Sequence, residues 1–126
     1  MILVDAGVLI DALRDQKAAL EWFRSNTEPI ALSGYTAMEL IAGCRTNDEV
    51  RVMDSVLNAC TVYWLNEQSS ALALEMFKQI HTKNGIDIID VFTAFTALQE
   101  NLPLHTFNQK HFKAIPNLIT IQPYKK

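Results

Sequence analysis

The sequence predicts an α/β protein built on one five-stranded parallel sheet that helices cover on both faces. Five short apolar segments with strand-like residues alternate along the chain with longer segments of helical periodicity. No repeat, low-complexity tract or linker interrupts this alternation, and 126 residues fit a single domain spanning 1–126. Strands that alternate with helices in this way favour parallel pairing in a buried sheet.

The predicted strands are short and apolar, and the predicted helices carry apolar residues at helical spacing. In chain order, the strands are "MILVD", "PIALS", "CTVYWL", "LPLHT" and "LITIQ". The helices are "GVLIDALR", "KAALEWFRSN", "TAMELIAGC", "NDEVRVMDSVLNA", "EQSSALALEMFKQIHTKNG", "DIIDVFTAFTALQEN" and the short "QKHFKAI". We expect the third helix to begin at Thr36 and to end near Gly43, and Gly85 to close the long fifth helix.

Composition limits the class of protein. The net charge of −3 argues against binding nucleic acid by charge alone, although an enzyme that reaches a few phosphates through metal ions remains compatible with it. No apolar run approaches the ~20 residues that would span a membrane, and Asp5 interrupts the opening apolar stretch, which is unlike a signal peptide. Cys44 and Cys60 form no CxxC motif. We therefore expect a cytoplasmic protein with two reduced thiols.

Polar side chains follow the ends of the predicted strands. Asp5 ends the first strand, Glu39 falls in the first turn of the helix after the second strand, and Thr106 and Asn108 follow the fourth strand. Asp90 lies in the first turn of the helix that begins near residue 88. Ligands of open α/β sheets bind outside the carboxyl ends of the strands, where strand order reverses. These side chains are therefore expected at one edge of the sheet.

Asp5, Glu39, Asp90 and Asn108 also have purely structural interpretations, which for Asp5 is that of a turn residue. Thr36 and Glu39 have the spacing of a capping box, in which the glutamate bonds the backbone at the start of a helix. Asp87 stands three residues before Asp90 and reads as an N-cap, which would make Asp90 a favourable charge in the first turn. Asn108 has the residue type of a cap for the next short helix.

Taken together, the acids favour a metal site. Asp5, Glu39 and Asp90 would repel one another at one edge, and no Lys or Arg stands beside any of them in the sequence. A divalent cation such as Mg²⁺ or Mn²⁺ prefers oxygen ligands and would compensate the charge. Such a cation lowers the pKa of a bound water and stabilises the charge that develops on phosphate. The sequence contains no zinc-type histidine spacing, P-loop, GxGxxG or GxSxG motif.

Four segments resemble the signature blocks of the PIN-domain family, in the same order. They are "ILVDAGVLI", "ALSGYTAMELIAG", "DIIDVFTAFTAL" and "LHTFNQKHFKAIPNLITIQP", and the resemblance runs from Ile2 to about Pro123. The most similar branch is that of the VapC-type toxin ribonucleases of bacterial toxin–antitoxin pairs. The resemblance implies a Rossmann-like three-layer α/β/α sandwich with a five-stranded parallel sheet. It also implies an endoribonuclease that depends on Mg²⁺ or Mn²⁺.

The resemblance assigns roles to individual residues. Asp5, Glu39 and Asp90 match the family's metal-binding acids, and Asn108 joins them as a fourth catalytic position. The family stretch "T.N..HF" matches Thr106, Asn108, His111 and Phe112. Supporting or RNA-contacting roles are expected for three further residues, which are Thr106, Thr93 and Lys110.

The chain departs from the family pattern at three positions. Ala6 and Gly7 stand where Thr-Ser or Thr-Asn is usual, and Asn108 is neutral where many relatives carry a fourth carboxylate. Thr93 stands where an aliphatic residue is commoner, which suggests a replacement hydroxyl near the site. Asp11 is expected to be a solvated helix residue.

The resemblance also implies partners, namely an RNA substrate, a cognate antitoxin and a second copy of the chain. The sequence itself shows a surplus of apolar side chains on the early helices, which either belong to the core or face a partner. They are Leu20, Trp22, Phe23, Val50 and Met53.

Two alternative functions remain open at this point. The first is a PIN fold with weak or no catalysis that binds RNA or a protein partner. The second is a cation-binding signalling module of the response-receiver type, which normally needs two adjacent acids after the first strand, an Asp closing the third and a Lys closing the fifth. None of those three features is present in this sequence.

Overall fold

A computed structural model describes residues 1–126 and contains one five-stranded sheet in the order β3-β2-β1-β4-β5. All neighbouring strands pair in parallel. The strands are β1 (Ile2–Val4), β2 (Ile30–Ser33), β3 (Thr61–Tyr63), β4 (Leu104–His105) and β5 (Thr120–Ile121). The predicted parallel sheet is confirmed.

Seven helices connect these strands, and all seven were predicted. They are α1 (Ala6–Leu13), α2 (Lys17–Ser25), α3 (Gly34–Ala42), α4 (Asn47–Asn58), α5 (Glu67–Asn84), α6 (Ile88–Glu100) and α7 (Gln109–Phe112). None of these helices is long and apolar enough to cross a lipid bilayer.

The sheet separates two apolar cores, because successive side chains of a strand point to opposite faces. Leu3 of β1 belongs to a core that includes Ala73 of α5 and Val91 of α6. Its neighbours Ile2 and Val4 belong to a second core, formed with α1 and α3. The three-layer α/β/α arrangement expected from the family resemblance is confirmed.

Part of the apolar surplus on the early helices belongs to the second core. Trp22, Phe23 and Met53 pack against the buried side chains of this core. Trp22 also lies against the ring of Tyr124, with 6.4 Å between the ring centroids. Packing inside the fold accounts for these three side chains, so they need not be assigned to a partner interface.

The end of the chain is tied to α1 through Asp11. The Tyr124 hydroxyl donates a 2.8 Å hydrogen bond to Asp11 Oδ2, and Lys126 Nζ lies 3.0 Å from the same oxygen. Burial acts to raise the pKa of Asp11, but these two donors outweigh burial and hold that pKa below its ordinary value. The expectation of a solvated Asp11 is wrong, because its partners lie more than 110 residues away in the sequence.

Helix α3 begins two residues earlier than the sequence indicated. Ser33 is its N-cap and accepts a 3.2 Å hydrogen bond from the backbone N–H of Tyr35. Gly34 begins the helix beneath the indole of Trp64, and a Cβ at this position would overlap the ring. Close approach of Trp64 therefore requires glycine here, and the earlier start makes Thr36 the third residue of the helix instead of its first.

Candidate active site

The candidate site lies at the carboxyl ends of β1, β2 and β4. The chain leaves β1 toward β2 on one side of the sheet and later adds β4 on the other side, so strand order reverses at β1. Asp5 follows β1, α3 follows β2, and Thr106 follows β4. Helix α6 leads back to the start of β4, which places its first turn at the same edge.

Asp5 is the most rigidly held acid of the site. Only 8% of its surface is exposed, and it is the N-cap of α1, where Oδ1 accepts a 2.9 Å hydrogen bond from the Ala6 N–H. The Thr106 hydroxyl donates a 2.8 Å hydrogen bond to Oδ2 and itself accepts one from the Asn108 N–H. Burial raises the pKa of Asp5, while these hydrogen bonds oppose the rise. The carboxylate is fixed in orientation.

Glu39 is exposed and makes neither a hydrogen bond nor an ion pair. It lies in the second turn of α3, because the helix begins at Gly34, so the expected first-turn position is wrong. The capping-box interpretation is wrong as well, since the N-cap is Ser33. A capping box does exist at the start of the next helix, between Thr46 and Glu49. Partial burial, followed by the charges of Asp5 and Asp87, raises the pKa of Glu39.

Asp90 lies in the first turn of α6, as predicted, and Asp87 is the N-cap. The Asp90 N–H donates a 2.8 Å hydrogen bond to Asp87 Oδ1. Burial, followed by the charges of Asp87 and Asp5, raises the pKa of Asp90 to about 6. His111 Nδ1 lies 3.6 Å from Asp90 Oδ2, and its positive form would oppose that rise.

Sequence reasoning missed two residues of this site. The charge of Asp87 acts on all three acids, in addition to capping α6. His111 Nδ1 is buried, has no hydrogen-bond partner and faces Asp90. The motif "T.N..HF" contained the signal for His111, whereas Asp87 was interpreted only as a cap.

The three acids share one electrostatic environment but do not converge. No group of three acidic, histidine or cysteine side chains is arranged so that it could hold a metal ion. The expectation that their carboxyl oxygens come within one cation's reach when a metal is bound therefore stays a prediction. Like charges repel, Asp5 is bonded to Thr106, and nothing draws the exposed Glu39 inward. The oxygen donors nevertheless match the chemistry of Mg²⁺ and Mn²⁺.

The remaining candidates occupy distinct positions around the acids. Asn108 is exposed at the N-cap position of α7 without making a capping hydrogen bond through its side chain, so a capping role is not observed. Lys110 is exposed on α7. Thr93 is fully buried, and its hydroxyl meets that of Thr36 rather than a carboxylate. Gly7 borders open space, because a Cβ there would meet no atom within 4 Å.

Comparison with known proteins identifies the family. The sequence profile of the PIN domain matches residues 2–118. The chain belongs to the PIN-domain family. Two similar PIN proteins are ribonucleases by name. Ribonuclease VapC19 of Mycobacterium tuberculosis is 30% identical over 94% of this chain and 97% of its own length. Ribonuclease VapC1 of Methanocaldococcus jannaschii is 30% identical over 90% of this chain and 80% of its own length.

Solved PIN structures have the same fold. The VapBC-1 structure from nontypeable Haemophilus influenzae matches with a TM-score of 0.79 and 25% identity, covering 99% of this chain and 100% of that one. A toxin–antitoxin complex from Klebsiella pneumoniae matches with a TM-score of 0.81 and 21% identity over the full length of both chains. Membership of the PIN family and its VapC branch excludes the response-receiver alternative.

Proposed function

We propose that this protein, as a single PIN domain over residues 1–126, is an endoribonuclease dependent on Mg²⁺ or Mn²⁺ and the toxin of a toxin–antitoxin pair. The observation that carries the proposal is electrostatic. Asp5, Glu39 and Asp90 come from three separate segments to one edge of the sheet, and the pKa of each is raised. Burial is the largest cause of each rise, and the charges of neighbouring acids add to it, so a cation at this edge would offset that repulsion. The VapC ribonuclease relatives support RNA cleavage as the use of that site.

The side chains of the three acids would differ in mobility as ligands of the metal ion. Asp5 is fixed by Thr106 and Ala6, so it defines the position of the ion. Glu39 is exposed and unpaired, so its side chain would be free to turn toward the ion without breaking any interaction. When bound, the ion supplies positive charge and a polarised water for attack on phosphorus.

RNA would approach over the loop that follows β4. Asn108 and Lys110 are exposed there, and the Asn108 N–H is linked through Thr106 to Asp5. We assign Lys110 to the phosphate backbone of the RNA and Asn108 to the edge of the metal site. Thr106 acts as the positioning residue of Asp5.

The same proposal includes protein partners and a location. The toxin–antitoxin structures that share this fold support a cognate antitoxin. A groove of about 520 Å³ beside Glu39, lined by apolar residues together with charged Arg14, Asp48 and Glu49, offers it a binding surface. We also propose a homodimer, supported by exposed Met38 and Trp64, and a cytoplasmic location, where RNA and two free thiols are expected together. Light scattering measures the oligomeric state.

Incubation of the purified protein with a pool of in vitro transcribed structured RNAs tests the proposal. With Mn²⁺, discrete cleavage products are expected, and EDTA should abolish them. If the RNA stays intact in Mn²⁺ while the protein still slows its migration in a gel-shift assay, the result would favour a PIN fold that binds RNA without cleaving it. The departures at Ala6, Gly7 and Asn108 are the observations that keep this second candidate under test.

A further inference from the structure

A buried pair of hydroxyl groups joins the two helices that carry Glu39 and Asp90. Thr36 Oγ1 of α3 and Thr93 Oγ1 of α6 lie 3.1 Å apart, and neither residue has any exposed surface. It is the one hydrogen bond between side chains of α3 and α6. The contact spans 57 residues of sequence, so it is a tertiary link and not a local turn.

Each member of the pair lies one helical turn from an acid of the proposed site. Thr36 precedes Glu39 by three residues in α3, and Thr93 follows Asp90 by three residues in α6. Residues three apart share one face of a helix. The hydroxyl pair therefore fixes the approach of the two helix backbones one turn away from the two acids.

The neighbouring Thr96 shows that this arrangement is not the default for a buried threonine of α6. The Thr96 hydroxyl donates a 2.7 Å hydrogen bond to the Phe92 carbonyl of its own helix, four residues earlier. Thr93 is equally buried, but its hydroxyl bonds across to α3. Threonine is β-branched and restricted at χ1, so a bonded pair of threonines makes a stiff connection.

We propose that Thr36 and Thr93 are positioning residues that set the separation of α3 and α6 for a divalent cation between Glu39 and Asp90. This inference rests on the proposed metal-dependent function. Mg²⁺ requires near-ideal octahedral geometry with ligands at about 2.0–2.1 Å, so small shifts of a carrier helix weaken its binding. Residues that hydrogen-bond metal ligands typically contribute 10–100-fold to metal affinity, and this pair acts one helical turn away, so an effect at the lower end of that range is expected.

Four variants separate positioning from simple packing. Thr93→Val removes one hydroxyl at nearly constant shape and leaves Thr36 without its partner. The double variant Thr36→Val/Thr93→Val removes both hydroxyls, so no buried polar group is left unpaired. Thr96→Val is the matched control, since it deletes a buried hydroxyl of α6 that has no bond to α3. Thr93→Ser keeps the hydroxyl and tests rescue.

Mn²⁺ affinity by calorimetry and the urea midpoint of unfolding are measured for each protein. We expect Mn²⁺ binding about 10-fold weaker in Thr93→Val and in the double variant, and unchanged in Thr96→Val and Thr93→Ser. The double variant should recover part of the urea midpoint that Thr93→Val loses, without recovering affinity. If the pair were purely structural, Mn²⁺ affinity would change in parallel with the urea midpoint across the variants.

Three outcomes would overturn the inference, and they are distinguishable. Equal Mn²⁺ affinity in the wild type and Thr93→Val would refute the positioning role alone and leave the proposed function intact. A wild-type protein that binds no Mn²⁺ would refute the proposed function and the inference with it. An affinity loss in Thr96→Val as large as that in Thr93→Val would reduce the pair to general packing.

Discussion

The Thr106 hydroxyl donates a 2.8 Å hydrogen bond to Asp5 Oδ2 across 101 residues of sequence. This bond joins the loop after β4 to the residue that ends β1, at the point where strand order reverses. Thr106 also accepts a 3.0 Å hydrogen bond from the Asn108 N–H. The loop that would face RNA is thereby coupled to the acid that would define the position of the metal.

Replacing Thr106 tests this coupling. Thr106→Val leaves the buried Asp5 with the Ala6 N–H as its one remaining donor. The loss of a bond to a buried charge should lower the free energy of unfolding by about 1–3 kcal/mol. The pKa of Asp5 should rise further, because the Thr106 bond now opposes that rise. Urea unfolding at pH 7 measures the effect on the free energy of unfolding.

Thr106→Ser is the control, because it keeps the hydroxyl, and it should behave like the wild type. A Val variant as stable as the Ser variant would contradict the argument.

The raised pKa of Asp90 predicts a specific dependence of stability on pH. The folded protein holds this proton up to about pH 6, whereas the unfolded chain releases it near its ordinary value of 3.8. The free energy of unfolding should therefore fall as pH rises from about 4 to about 6. Asp90→Asn removes this loss, so the metal-free variant should exceed the wild type by about 1 kcal/mol above pH 6, a value reduced for solvent screening.

The control for this prediction is another acid. Asp54 is exposed on α4, and its side chain forms no hydrogen bond or ion pair. Asp54→Asn should keep the free energy of unfolding close to the wild-type value at pH 7, because this side chain makes no contact that the substitution would remove. Below about pH 4, where Asp90 is protonated, Asp90→Asn and the wild type should converge. A constant difference between them at all pH values would show that Asp90 does not titrate as described.

Asn108 tests how charge at the site controls metal affinity. The side chain is exposed and makes no capping bond, so Asn108→Asp changes charge without disturbing α7. A fourth carboxylate should tighten Mn²⁺ binding several-fold, because affinity for hard cations rises with ligand charge. Asn101→Asp adds the same charge at the opposite end of α6 and serves as the control. Equal Mn²⁺ affinity of the two variants in calorimetry would place Asn108 outside the metal site.

Gly7 tests whether the open space beside Asp5 tolerates a side chain. A Cβ at this exposed position of α1 meets no atom within 4 Å, so Gly7→Ser should fold normally. Replacing a helical glycine should also raise the free energy of unfolding by about 0.5 kcal/mol. Thermal unfolding measures this effect, and a lower midpoint than that of the wild type would show that the space is not open.

The sequence was sufficient for the architecture and for the segments that supply the acids. Asp5 and Asp90 were located correctly, because local patterns mark both positions. Asp5 ends a strand, and Asp90 follows the N-cap Asp87 at the start of a helix. Glu39 was assigned to the right helix but to the wrong turn. Helix α3 is capped by Ser33 and begins at Gly34, where Trp64 leaves no room for a side chain, and that contact from a distant segment is not encoded in the local pattern.

The sequence did not predict in which direction individual side chains point or which residues they contact. Thr93 was expected to supply a hydroxyl near the site, and its direction could not be read from the sequence; that hydroxyl meets Thr36 of another helix. Asp11 was expected in solvent, but Tyr124 and Lys126 return to it from the end of the chain. Each of these outcomes depends on which residues distant in the sequence become neighbours, and that information arises only when the helices pack on the sheet.

The most direct test of the central claim is single-turnover cleavage of one structured RNA in Mn²⁺ by the wild type, Asp5→Asn, Asp90→Asn and Asp54→Asn. The account predicts cleavage by the wild type and Asp54→Asn, and none above background by the two site variants, all four being folded by circular dichroism. Cleavage by Asp5→Asn and Asp90→Asn at the wild-type rate would contradict the account, because the acids at the carboxyl edge of the sheet would then have no part in the reaction.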